Sequence, residues 1–141
     1  MKVLLAVDGS PYTKKMLAYL VENREMFMSG HNDYVLLTVV PQLPNRATSA
    51  ISKEVLLQYY AEESAKVTDP VVKFLAMHDI HPRVVGKVGT PGSIIAQVAQ
   101  EGDFHLVVMG SHGYGALGSL VMGSVATKVL AECTVPVLLV R

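Results

Sequence analysis

Glycines 110, 113, 115 and 118, with Ser111 and His112 among them, follow directly on the apolar run His105-Leu106-Val107-Val108-Met109. A helical pattern runs on from about Ser119. In it Val125, Ala126, Val129, Leu130 and Cys133 recur at the spacing of one helix face, and Ser124 just before them is the expected N-cap. Strand, glycine loop and helix start together carry a chemistry. Glycine lets the backbone turn sharply and come close to a ligand, while the first turn of a helix offers unpaired N–H groups and the positive end of a dipole. These groups suit an anion, and a phosphate above all.

Such a loop needs strands and helices to hold it. Val3-Leu4-Leu5-Ala6-Val7 is a continuous apolar run of strand length, as expected for a parallel strand buried on both faces. Ser10-Pro11 opens a helix, with proline at its first position and serine able to accept from the orphan amides. Met16, Leu17, Leu20, Val21 and Phe27 give it one apolar stripe, ended at Gly30. Tyr34–Val40 is β-rich and is stopped by Pro41 and Pro44. A loop to about Ser49 leads into a long helix from Ala50, with Ile51, Val55, Leu56 and Tyr59 on its apolar face. Glu54, Glu62, Glu63 and Lys66 read as its wet face, and Pro70 predicts a kink or restart, since proline inside a helix costs roughly 3 kcal/mol.

His81–Val88 alternates in part, with Arg83 and Lys87 on one face, and so suits a sheet edge. Gly89-Thr90-Pro91-Gly92-Ser93 is a turn and helix start, followed by the stripe Ile94, Ile95, Val98 and Ala99 up to Gly102. The glycine loop's strand comes next, and Val135–Val140 supplies a last one. Strand and helix thus alternate through the chain, which predicts one α/β domain over residues 1–141 with a parallel sheet, right-handed crossovers and helices on both faces.

Composition narrows the function. The chain is 141 residues long, 50% hydrophobic and 17% charged with formal net charge zero, which argues for a packed core and against a basic nucleic-acid surface. Cys133 is the only cysteine, so no intrachain disulfide forms and its expected role is packing. The five histidines are scattered and suggest no metal site. No apolar run reaches the roughly 20 residues of a membrane span, and the stretch after Met1-Lys2 is too short for a signal-peptide core. A cytoplasmic location is the expectation.

Written as a pattern, Gly110-x2-Gly113-x9-Gly123-Ser124 resembles the nucleotide-binding branch of the universal stress protein family, and all four motif positions match. Val7-Asp8-Gly9-Ser10 and the last strand extend the resemblance over the whole chain. It implies a five-stranded sheet of order 3-2-1-4-5, in which the chain reverses direction between strands one and four and leaves a ligand crevice there. It further implies ATP, with Mg on its phosphates, as the ligand. Asp8 then falls at the ribose hydroxyls, and backbone groups near Val39 read the adenine edge while Val7 and Val40 line its face. Gly110, Ser111, His112, Gly113, Gly123, Ser124 and Val125 take the ribose and phosphates. Lys128, one turn past Ser124, reads as an exposed helix lysine. The last strand, Val137-Leu138-Leu139-Val140, has neither lysine nor proline, and the resemblance makes it an edge that pairs with its copy in a homodimer.

Two rival motifs overlap the loop. Gly113-Tyr114-Gly115-Ala116-Leu117-Gly118 satisfies GxGxxG, but the acidic ribose ligand expected about 20 residues on is missing. Gly118-x4-Gly123 mimics a phosphate loop, yet Ser124-Val125 stands where a Walker motif requires lysine and serine or threonine. At most slow ATP hydrolysis is expected. The reading is a small ATP-binding sensor of stress or energy state acting through an unidentified protein partner. Its alternatives are a nucleotide-free dimer, a slow ATPase and an NAD-type module.

Overall fold

The computed structural model describes residues 1–28, 30–115 and 121–141. Five parallel strands, β1 (Lys2–Ala6), β2 (Asp33–Val40), β3 (Arg83–Val88), β4 (Leu106–Gly110) and β5 (Val137–Val140), form one sheet in the order β3-β2-β1-β4-β5. This is the expected order, with the reversal between β1 and β4. In register, Ala6 lies beside Leu37 on one side and Met109 on the other.

The apolar runs are continuous because both faces of the central strands are covered. Successive side chains alternate between two cores. Val3, Leu5, Leu36 and Val108 pack on one face against Met16, Leu17 and Leu20 of helix α1 (Pro11–Glu22) and Val71 and Leu75 of the long helix described below. Leu4, Ala6, Leu37, Val107 and Met109 pack on the other against further helices. With these side chains removed from water, each contributes on the order of 1.5–3 kcal/mol.

The first helical segment is two helices. Asn23 ends α1 with its side-chain amide on Tyr19 O, and a second helix, α2 (Arg24–Met28), carries Phe27 into the first core. Asn23 is a better stop than a helix interior, because its short amide competes for backbone groups. The loop after β2 contains a short helix, α3 (Asn45–Thr48). Helix α4 (Lys53–Ala76) is capped by Ser52, whose Oγ accepts from Val55 N–H, and it runs through Pro70 without restarting. Buried Val71 and Leu75 fix that part of it against the sheet. The expected apolar face is wrong in phase and extent: Val55 is 56% exposed, and Ile51 (before the helix) and Tyr59 are each 38% exposed. The first turns of α4 stand off the sheet, so their hydrophobic spacing reports no core.

β3 is an edge strand as expected, exposed over most of its length. Helix α5 (Pro91–Glu101) follows with Pro91 at its first position. Helix α6 (Ser124–Glu132) begins later than the sequence pattern suggests. Ser119, the expected start of that pattern, and Gly118, shared by both rival motifs, lie outside the described residues. Gly123 rather than Ser124 is the N-cap, in extended conformation, which makes Ser124 the first helical residue. Lys128 is on the exposed side of α6, 3.5 Å from Glu132, and Cys133 is half-buried at its end in the second core.

Candidate functional site

A cavity of about 420 Å³ opens over the carboxyl ends of β2, β1 and β4, at the point where the strand order reverses. Val7, Asp8, Val39, Val40, Gly110, His112, Gly113, Gly123, Ser124 and Val125 all line it. Ser111 does not. Its N–H donates to Val140 O at 2.9 Å, and its hydroxyl shares a 2.8 Å hydrogen bond with His112 Nδ1, leaving the residue 2% exposed. β5 therefore holds Ser111 turned away, and the structure does not bring it to the cavity with the other expected residues.

At the β4 end, Gly123 N–H donates to Ser111 O at 2.7 Å and ties the loop to the helix start. A Cβ on Gly123 would lie 3.0 Å from His112 Cα and 3.1 Å from Ser111 O, so the close approach of two backbones is what requires glycine here. The first α6 bond is Thr127 N–H to Gly123 O, and no side chain caps the helix. The N–H groups of Ser124, Val125 and Ala126 are thus left without partners among the described residues, and all three residues line the cavity. With the helix dipole behind them they suit an anion. His112 sits beside them, its ring tilted at 35° against that of Tyr12 with centroids 4.9 Å apart.

Over β1, Asp8 is held by its neighbours. Oδ1 accepts from Ser10 N–H and from Thr13 Oγ1, both at 2.9 Å, and Thr13 Oγ1 in turn accepts from Asp8 N–H at 3.1 Å. Gly9 turns the chain here with φ +78°, a conformation that glycine tolerates and L side chains resist. Ser10 caps α1 through its carbonyl, not its side chain, and its buried Oγ has no partner among the described residues. Oδ2 of Asp8 takes part in no described hydrogen bond, and the position of a Cβ on Gly113 would be only 2.7 Å from it. Tyr114 spans the same gap, its hydroxyl donating to Gly9 O at 2.7 Å.

Over β2 the useful groups are backbone. Val7 N–H donates to Leu37 O, and Gly89 N–H donates to Val40 O. Backbone groups of successive strand residues point to alternate sides, so Leu37 addresses β1 and Val40 addresses β3. Val39 therefore directs its N–H and C=O toward β1, but past the strand's end, where no described hydrogen bond takes them up. A donor and an acceptor side by side, walled by Val40, Pro41 and Val67, suit the edge of a planar heterocycle.

Sequence reasoning missed Thr13, Tyr114, Glu63 and Val67. Thr13 was within reach, since a helix opening at Pro11 turns its first-turn threonine back onto Asp8. Glu63 was read as wet, yet it lines the cavity one turn before Val67. Its Oε1 lies 2.7 Å from Lys66 Nζ, and this hydrogen bond and the carboxylate's charge hold the Lys66 ammonium above its ordinary value. The described lining carries two carboxylates, Asp8 and Glu63, and no lysine or arginine. Among the described lining residues, positive potential comes from the helix amides and the His112 ring. No three His, Cys, Asp or Glu side chains among the described residues form a metal-holding group.

A model of the "Universal stress protein family" matches residues 1–141. The chain belongs to the universal stress protein family. A Thermus aquaticus relative, the "Universal stress protein in QAH/OAS sulfhydrylase 3'region", is 34% identical over 141 residues, covering 99% of this chain and 97% of its own. The universal stress protein MJ0577 of Methanocaldococcus jannaschii shares the fold at TM-score 0.82 and 23% identity, with 99% of this chain and 94% of that one covered. A universal stress protein from Archaeoglobus fulgidus, solved in complex with dAMP, superposes at TM-score 0.69 and 18% identity over 100% of this chain and 98% of its own. Other structures of this fold have been solved with AMP and with cAMP. Among the described residues of this family member, no helix is long and apolar enough to cross a membrane.

Proposed function

We propose that this universal stress protein binds an adenine nucleotide, ATP with Mg on its phosphates, and works as a dimeric sensor read by a protein partner. One observation carries the reading. The unpaired α6 amides, the Asp8 carboxylate and the Val39 backbone pair surround a single cavity in the order of the strands beneath them, β4, β1 and β2. Phosphates go to Ser124, Val125 and Ala126 and to Gly110, His112 and Gly113, the ribose diol to Asp8, and the base to Val39 between Val7 and Val40. The relatives solved with AMP, cAMP and dAMP support an adenine nucleotide. With no lysine or arginine in the described lining, phosphate charge is offset by amides and by a cation carried on the nucleotide. Binding, not hydrolysis, is the function. The half-buried apolar edge of β5 supplies the dimer surface.

The test is calorimetric titration of the protein and of Gly123→Val with ATP and with NAD. The larger side chain would meet the backbone of Ser111 and His112 and close the helix start, so wild type should bind ATP and the variant should not. Circular dichroism checks that both are folded. Equal ATP affinities would overturn the site, and preference for NAD would favour a dinucleotide module.

A further inference from the structure

We infer that Glu63 sets the choice of base, by accepting a hydrogen bond from the exocyclic amine of a 6-aminopurine. This rests on the adenine-nucleotide reading above. The strands place the base over β2, and α4 packs against β2 on one face as α5 does on the other; of the α4 residues, Glu63 and Val67 line the cavity, with Val67 3.6 Å from where a Cβ on Gly9 would stand and Glu63 one turn nearer the cavity mouth. Glu63 is the only charged α4 side chain lining it among the described residues. Its Oε1 is engaged by Lys66 at 2.7 Å, while Oε2 enters no described hydrogen bond, and the side chain is 33% exposed.

Thr38 marks the same side. Leu36 packs on Val71 and Leu75 of α4, and strand alternation sends the Thr38 side chain to that face. Thr38 is 2% exposed, lines the cavity, and its hydroxyl enters no described hydrogen bond. The base end thus has side-chain polar groups on its α4 side in addition to the Val39 backbone.

The chemistry then selects a partner. An ionised carboxylate only accepts, so the ligand must bring a donor to it. Val39 N–H and C=O match N1 and one amine hydrogen of a 6-aminopurine, which leaves the second amine hydrogen in need of an acceptor. Glu63 provides one. A 6-oxopurine would instead set its carbonyl oxygen against the carboxylate, and a site built to receive a donor rejects a ligand that lacks it.

The experiment compares ATP with ITP, which carries an oxygen at position 6 and a hydrogen on N1, by calorimetry on wild type, Glu63→Gln and Lys66→Ala; the N1 hydrogen opposes Val39 N–H equally in all three proteins, so only the change in preference between them reports on Glu63. Wild type should favour ATP by about 100-fold or more. Glu63→Gln, whose amide can donate to the 6-oxygen, should shrink that preference roughly tenfold. Lys66→Ala breaks the same ion pair but keeps the carboxylate, and should leave the preference unchanged. ATP binding with the same ATP-to-ITP ratio in wild type and Glu63→Gln would overturn this inference alone. A shift as large in Lys66→Ala as in Glu63→Gln would assign the effect to the ion pair and overturn it too. Failure of the wild type to bind any adenine nucleotide would overturn the proposed function as well.

Discussion

Replacing Gly113 by alanine should damage the ribose site through Asp8 and through nothing else. The added Cβ would sit 2.7 Å from Asp8 Oδ2, where ordinary contact begins at 3.4 Å, so the carboxylate must move by about 0.7 Å. Oδ1 is fixed by two 2.9 Å bonds, to Ser10 N–H and Thr13 Oγ1, and a rotation of that size weakens them or aims Oδ2 away from a diol. A hydrogen bond to a charged group contributes about 1.5–3 kcal/mol, so ATP affinity should fall roughly 10- to 100-fold. The assay is a double-mutant cycle by calorimetry on wild type, Gly113→Ala, Asp8→Ala and the double variant. If the methyl acts by displacing Asp8, it costs nothing further once Asp8 is gone. Additive losses would refute the reasoning and place the damage in the loop backbone. Circular dichroism should show all four folded, because Asp8 is exposed and outside both cores.

Other expectations test the fold and the assembly. Burial pushes the Tyr34 phenol above its ordinary value, and its hydroxyl donates to Phe27 O at 2.6 Å. The neutral phenol's contribution is complete below the unfolded-state pKa near 10 and is lost as pH rises through the higher folded value. Tyr34→Phe should therefore be about 1 kcal/mol less stable at pH 7 in urea unfolding, with the gap narrowing at strongly alkaline pH; a constant gap would contradict this. Pro70 is exposed inside α4 and supplies no N–H, so Pro70→Ala should stabilise the protein by about 1–3 kcal/mol, measured the same way, and no gain would show the helix already relaxed around it. Light scattering should give a dimer at micromolar concentration, lost on truncation before Val137, and a monomeric full chain would remove β5 as an interface.

The parts of the fold that sequence could show are those buried on both sides. Val3–Val7, Tyr34–Val40 and the run before Gly110 are continuous because each strand faces two cores, and that pattern needs no tertiary information. Strand order did need it, and came through the resemblance carried by the glycine motif. The first turns of α4 misled for the opposite reason: Val55 and Tyr59 have core-like spacing, but no sheet lies beneath them. That error in helix phase also hid Glu63, which seemed one more surface acid beside Glu62. Ser111 stands apart, since only the hydrogen bond from its amide to β5 shows that it faces inward. The glycines stand out in the sequence as a motif suited to a phosphate, whereas the packing reasons for two of them needed the structure: at Gly123 the close backbone of Ser111 and His112, and at Gly113 the Asp8 carboxylate.

The cavity's role is tested most directly by an amide NMR titration of the intact protein with ATP and Mg. The largest shifts should fall on the N–H groups of Ser124, Val125 and Ala126, on Gly113, and on Val39 at the opposite end, with those of β3 unmoved. Saturable shifts confined to other surfaces, or no shifts at millimolar ATP, would contradict nucleotide binding at the switch point of this sheet.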